Sequence, residues 1–429
     1  MVPDGLMLSL NTARLRLSCV ALPWYQDTGK ISNQFQYIKT GRMLKTSKRA
    51  STVQPFLVMD MMRQAAILEA AGTNIIHMEV GQPSGGPPAK VIEAAQTALQ
   101  KERLGYVDAL GIPPLRERIA RHYKETYGVD VSPQRIIVTT GSSAAFVLAF
   151  TACFDRGQKI GLATPGYPAY RNILAATDLE TIDIPTSAET RWAPAVDDVR
   201  ERALAGKLDG LLVASPANPT GTMMAPQDLA ALLKTCKETG VRFISDEIYH
   251  ELTWQEQGGQ EQATALQFDP DAIVINSFSK YYCMTGWRVG WMVVPEDLVR
   301  PLECLSQNLY ISTPAISQYA ALAAFEAREE LDQRKAVYAA NREYLMNELP
   351  RIGIDKFTPV DGAFYIYADV SKFTNDSLDF TSRMVKEAGV ATTTGLDFDP
   401  KEGNRHIRMS FAGSNEEMKE AVKRLKGWL

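Results

Sequence analysis

The chain has little of what several common chemistries require. Its four histidines, His77, His122, His250 and His406, stand far apart and form no ligand cluster, so no metal is assigned. The five cysteines (Cys19, Cys153, Cys236, Cys283, Cys304) are odd in number and widely spaced, without zinc or disulfide spacing. That points to a reducing compartment, and so to a cytoplasmic protein. No apolar run is long enough to span a bilayer. No charge of one sign dominates: 46 basic residues against 50 acidic ones argue against nucleic acid as a main partner. Neither a Walker loop nor a dinucleotide glycine fingerprint is present, which disfavours a nicotinamide oxidoreductase. Internal repeats and low-complexity segments are also missing.

What is there reads as a soluble globular protein. A chain of 429 residues exceeds one ordinary core and suggests two domains. Residues 1–50 differ from the rest: eight basic side chains, from Arg14 to Arg49, face only Asp4 and Asp27, with no sustained periodicity. An organellar transit peptide, a stretch upstream of a start at Met43, and a disordered basic tail are all compatible with that composition. The stretch is too short for a winged-helix DNA-binding domain. From about residue 84 to 300, apolar strands alternate with helices, the pattern of an α/β fold with a mostly parallel sheet.

Several strands end in residues that carry chemistry. The run 272–275 leads into Asn276-Ser277-Phe278-Ser279-Lys280. A lysine at the rim of a sheet is partly out of water, where its pKa falls and a neutral amine can condense with an aldehyde. Ser277 and Arg288 flank it with a hydroxyl and a permanent cation, a pairing suited to a phosphate dianion. The same residues also allow a surface lysine with Arg288 in an ion pair. The strand 135–140 ends at Gly141-Ser142-Ser143 before an apolar helix from residue 144, an arrangement that suits an anion and also serves as a plain helix cap. The strand 209–215 precedes Asn218, held before Pro219 as a fixed amide donor. The strand 241–245 ends at Asp246, with Tyr249 on the same face of a turn and Glu247 pointing elsewhere. Ligand sites of open α/β sheets lie at such carboxyl ends. Arg408 lies inside an apolar strand (405–411), as a bidentate carboxylate clamp or one side of a structural ion pair. Residues 315–349 read as one long helix and residues 74–80 as a strand.

The segment Ser277-Phe278-Ser279-Lys280, followed by Gly286-Trp287-Arg288-Val289-Gly290, resembles the cofactor-lysine signature of class I aminotransferases. Those enzymes share the aspartate aminotransferase fold and carry pyridoxal phosphate (PLP). Tyr106 with Gly111-Ile112-Pro113-Pro114-Leu115-Arg116 resembles a second family segment, and the resemblance runs from about residue 55 to the end. Cys283 departs from it, standing where the family has a small residue such as Gly or Ala.

The resemblance implies a fold type I architecture. An N-terminal arm with part of a small domain would span 51–83, a large PLP-binding domain 84–314, and a C-terminal small domain 315–429. It implies that Lys280 carries PLP as a Schiff base and shuttles the substrate α-proton in a ping-pong exchange between an L-amino acid and a 2-oxo acid. Asp246 would keep the pyridine nitrogen protonated, and Tyr249 and Asn218 would bond the ring oxygen. Tyr167 would cover the ring, while Ser142, Ser143, Ser277, Arg288 and a partner's Tyr106 would hold the phosphate. Arg408, Asn218 and Gly81 would orient the substrate carboxylate. A homodimer with sites between subunits is implied. C–S β-lyases and other PLP enzymes share these residues, and a PLP-sensing transcription regulator would need a DNA-binding domain for which the chain has no room.

Overall fold

The structure, a computed structural model, describes residues 46–429. The readings of the basic N-terminal stretch therefore lie almost wholly outside the described residues. Its last residues enter a short helix, Lys48–Thr52, capped by Ser47.

The frame is a seven-stranded sheet. After a short strand β1 (Ile76–His77), its members in chain order are β2 (Ile136–Thr139), β3 (Lys159–Thr164), β4 (Glu180–Pro185), β5 (Gly210–Ala214), β6 (Arg242–Asp246), β7 (Ile273–Ser277) and β8 (Gly290–Val293). Their spatial order is β2-β8-β7-β6-β5-β3-β4. Neighbours pair in parallel except for β8, which runs against both β2 and β7. The sheet is mostly parallel, as the alternation of elements predicts. Every residue of β7 is buried, which is why it reads as an unbroken apolar run. Burial of each Ile or Val there stabilises by roughly 1.5–3 kcal/mol.

A second, antiparallel sheet follows: β9 (Lys356–Phe357), β10 (Tyr365–Asp369), β12 (Thr393–Thr394) and β13 (His406–Ser410), in the order β12-β13-β10-β9. The remaining strand, β11 (Val390–Ala391), pairs in parallel with β1. Residues Ser47–Leu429 form one compact unit. Among the described residues no helix is long and apolar enough to cross a membrane.

Three local expectations are corrected. The expected helix 315–349 is two helices, Ala315–Ala324 and Arg328–Glu348. No glycine or proline marks the break. Phe325 turns into an aromatic cluster with Phe278 and Tyr282, and the second helix restarts on Glu329 and Glu330, which suit its positive end. The expected strand 74–80 shortens to β1, because the carbonyls beyond it take other partners. Met78 O accepts from Ser410 N–H, and Glu79 O accepts from Thr393 Oγ1 and Arg408. The Gly-Ser-Ser turn is the first turn of the helix Gly141–Cys153 itself.

Candidate active site

Five strand ends converge. Asp246 is the last residue of β6, Lys280 follows β7, Asn218 follows β5, Gly141 follows β2, and Tyr167 caps the helix after β3. Arg408 enters from β13 of the second sheet and Gly81 from the segment after β1.

Lys280 is partly buried, and its Nζ donates to Gly81 O at 2.5 Å. The amine also faces the Tyr249 ring at 5.4 Å and the Phe364 ring at 5.9 Å. Burial, helped by the positive charges of Arg408 and Arg288 and opposed by Asp246, pushes its pKa from 10.5 down to about 7. Asp246, 2% exposed, moves the other way. Burial lifts its carboxyl to about 6, against hydrogen bonds from Tyr170 and Ile248 N–H and the nearby Lys280. Tyr170 Oη donates to Asp246 Oδ2, and Ile248 N–H donates to Oδ1 at 3.1 Å. Glu247 does point elsewhere: it accepts from Ser245, Thr264 and Ala265 in a separate buried network.

The anion end lies beside the ends of β2 and β7, the two strands that flank β8. Arg288 has a left-handed backbone (φ 51°), and its Nη1 donates to Thr285 O at 3.0 Å and reaches Ser279 Oγ at 3.5 Å. Those partners are neutral, so the guanidinium keeps its charge for a ligand. A Cβ at Gly141 would run into the Arg288 guanidinium, so glycine lets the helix start lie against the arginine. Ser142 and Ser143 occupy the first turn, where amide N–H groups lack helical acceptors. The Ser277 hydroxyl is engaged within the turn, with Ser279 Oγ at 3.0 Å and Val289 O at 3.2 Å. Ser279 is the hydroxyl nearer Arg288, which the sequence reading did not single out.

At the opposite end Arg408 is buried. Nη1 donates to Asn218 Oδ1 at 2.9 Å and Nη2 to Glu79 O, while Nε has no partner among the described residues. Its planar head lies over the Tyr365 and Phe398 rings at 4.4 and 4.8 Å. Among the described residues no carboxylate side chain bonds it, so no structural ion pair there holds Arg408. Tyr249 Oη pairs with Tyr365 Oη at 2.7 Å. Tyr106 stands 84% exposed on the loop after the helix Ala89–Lys101, apart from this cluster.

The site thus has a cationic end, a near-neutral amine, a buried carboxylate and a second cation with an open donor. These residues suit PLP: a dianion for Arg288 and the helix start, an aldehyde for Lys280, and a basic ring nitrogen for Asp246. Tyr170, Tyr365 and Phe56 were missed in the sequence, where nothing distinguishes them from core or loop aromatics. Phe56 lies against Tyr167, ring centroids 6.0 Å apart and 19° from parallel.

Comparison with known proteins adds an independent observation. The profile of the family described as aminotransferase class I and II matches residues 73–425. Valine–pyruvate aminotransferase of Mycobacterium tuberculosis is 48% identical over 379 residues, 88% of this chain and 97% of that protein. The (5-formylfuran-3-yl)methyl phosphate transaminase of Methanocaldococcus jannaschii is 32% identical, over 89% of this chain and 99% of its own. Among solved structures, an aminotransferase from Mycobacterium tuberculosis superposes with a TM-score of 0.87 at 47% identity, covering 90% of this chain and 99% of that one. Aspartate aminotransferase from Thermus thermophilus with maleate gives 0.84 at 28% identity, covering 90% and 100%.

Proposed function

The chain belongs to the class I and II aminotransferase family, and from that premise we propose that it moves the amino group of an aliphatic L-amino acid to a small 2-oxo acid such as pyruvate. It is an aminotransferase, and its family is PLP-dependent. The donor and acceptor classes are those named for the 48% identical valine–pyruvate aminotransferase. The observation that carries the reading is the Lys280 amine, partly buried beside Asp246 and two arginines, with its pKa lowered to about 7.

Bound at this site, PLP would supply an electron sink that lets the substrate α-carbon release its proton. Arg288, the amides and hydroxyls of Ser142 and Ser143, and Ser277 with Ser279 would hold its phosphate. Asp246, fixed by Tyr170, would keep a proton on the ring nitrogen, and Tyr249 and Asn218 would donate to the ring oxygen. Tyr167 would cover the ring. Arg408 binds the substrate carboxylate through its fork, with Asn218 and Gly81 fixing the orientation. Lys280 takes the proton from the α-carbon and returns it at the end of the transfer. We read the active species as a cytoplasmic homodimer: Tyr106 is an exposed aromatic, and the phosphate end opens into a cleft of about 600 Å³ beside Arg288 and Trp287. The partner's Tyr106 would close that cleft.

The test is a panel of amino donors (valine, leucine, alanine, aspartate, glutamate and a cysteine S-conjugate) against pyruvate and 2-oxoglutarate, with both products identified. Transfer from valine to pyruvate is the expected result. Pyruvate and ammonia released from a cysteine conjugate, with no new amino acid formed, would mark a β-lyase and overturn the proposal.

A further inference from the structure

The segment leaving β1 supplies backbone carbonyls to both Arg408 and Lys280. Glu79 O accepts from Arg408 Nη2 and from Thr393 Oγ1 at 2.8 Å, and Gly81 O accepts from Lys280 Nζ. One arm of the Arg408 fork therefore rests on the peptide of Glu79. The side chain of that same residue is buried, 1% exposed, and it is held by a histidine.

His77 stands between two carboxylates. Its Nδ1 meets Glu79 Oε1 at 2.8 Å and its Nε2 meets Glu69 Oε1 at 3.0 Å. A carboxylate only accepts, so both ring nitrogens must donate, and only the imidazolium has two N–H groups. His77 and Glu69 are half-exposed, so the ring links a carboxylate facing water to one buried beneath it. The bond to Glu79 raises the ring's pKa from 6.5 to about 9, with Glu69 adding to the rise and burial opposing it. Other charges nearby are engaged elsewhere. β11 brings only Val390 and Ala391 to this strand. On the helix Asn415–Trp428 the buried residues are apolar, and Arg424 turns to Asn74 and Glu420. On the helix Leu57–Ala70, Asp60 and Arg63 are exposed and pair with each other.

Glu79 Oε2 is buried without a partner among the described residues. The imidazolium is thus the counter-charge on which this carboxylate depends. A neutral ring would turn one nitrogen lone pair toward a carboxylate and leave the buried charge uncompensated, which is costly. The carboxylate relieves that cost by moving toward water, and its own peptide, with the carbonyl under Arg408, moves with it.

We propose that His77, held as an imidazolium between Glu69 and Glu79, is a positioning residue for Arg408, and that losing its proton in alkaline solution loosens the grip of Arg408 on a substrate carboxylate. The inference rests on the clamp role given to Arg408 above and adds the side chains that keep the clamp in place. Because the ring's pKa is raised in the fold, the contribution is complete below pH 6.5 and is lost as pH rises through about 9.

The experiment titrates PLP-loaded enzyme calorimetrically with isovalerate, a non-reactive monocarboxylate, at pH 6.5, 8 and 10. Wild type is compared with His77→Gln and with the double variant His77→Gln/Glu79→Gln, and kcat and KM for valine with pyruvate are measured at pH 8. The ratio of wild-type to variant affinity cancels the titrations that the proteins share, Lys280 included. His77→Gln should bind isovalerate about tenfold more weakly than wild type at pH 6.5 and 8, and within about twofold of it at pH 10. Its KM for valine should rise about tenfold while kcat falls less than threefold. The double variant, which removes the stranded charge, should return to within about threefold of wild type at pH 8. A ratio that stays constant from pH 6.5 to 10, a double variant as weak as His77→Gln, or a lowered thermal midpoint with wild-type isovalerate affinity would overturn the inference. If wild type itself binds no isovalerate, the clamp role of Arg408 fails and the inference with it, whereas binding that ignores His77 removes the inference alone.

Discussion

Replacing Lys280 with methionine in the cofactor-free protein should stabilise it, by an amount that depends on pH. The amine's pKa falls from 10.5 in the unfolded chain to about 7 in the fold, so folding disfavours the ammonium form. Between those values the unfolded chain binds more protons than the folded one. Stability therefore climbs as pH rises from 7 to 10.5, and the penalty is complete below pH 7. At about 1.4 kcal/mol per pH unit, the full penalty is on the order of 5 kcal/mol, with about 2 kcal/mol left at pH 9. Methionine keeps the length and apolar stem of the side chain and carries no charge. It forfeits the bond to Gly81 O, a loss of about 1–2 kcal/mol. The net gain should be about 3 kcal/mol at pH 6 and close to zero at pH 9. Urea-unfolding midpoints of both apoproteins at pH 6, 7.5 and 9 measure it. A variant less stable than wild type at pH 6, or a gain that does not shrink as pH rises, would refute the claim that burial and two arginines depress the basicity of this amine.

Arg408→Lys replaces a planar fork by a point charge and loses the bonds to Asn218 and Glu79 O. It should lower kcat/KM for amino and oxo acids by roughly two orders of magnitude with the PLP absorption band intact, since paired charged hydrogen bonds contribute about 2–5 kcal/mol; loss of the band instead would contradict the clamp role. Asp246→Ala should reduce kcat by roughly 10²–10³-fold and weaken PLP retention far less, and single-turnover kinetics would show whether proton abstraction is the step slowed. A Cβ at Gly81 would overlap the Tyr365 hydroxyl. Gly81→Ala should accordingly cost about 1–3 kcal/mol of thermal stability, and Tyr365→Phe in the same chain should restore part of it; absence of any rescue would place the strain elsewhere.

Much of the fold and part of the site were legible in the sequence, for one physical reason. Parallel strands buried on both faces read as apolar runs, and residues that do not fit such a run stand at the end of β6 (Asp246) and a few positions after β5 (Asn218) and β7 (Lys280). Local breaks in pattern therefore pointed at the end of the sheet where the candidate site lies. What stayed hidden depends on contacts between distant parts of the chain. Tyr170 reaches Asp246 across 76 positions and Tyr249 meets Tyr365 across 116, and no local spacing encodes either pair. The break at Phe325 was invisible because tertiary packing of an aromatic ring, not a helix-breaking residue, ends that helix.

The same distance explains why the lysine's position could be read and its chemistry could not. A lysine after a buried strand is recognisable, but burial alone does not set its pKa. Arg408 and Arg288 lower it from two sides while Asp246 raises it. Arg408 comes from the second sheet, so part of the field at Lys280 is created only when β13 docks against the site. On the proposed reading, the amine would meet the cofactor while both arginines depress its basicity. A substrate carboxylate on Arg408 would then offset one of those two positive charges. Lys280 would become more basic when the α-proton comes within reach, so one guanidinium would both position the substrate and time the base.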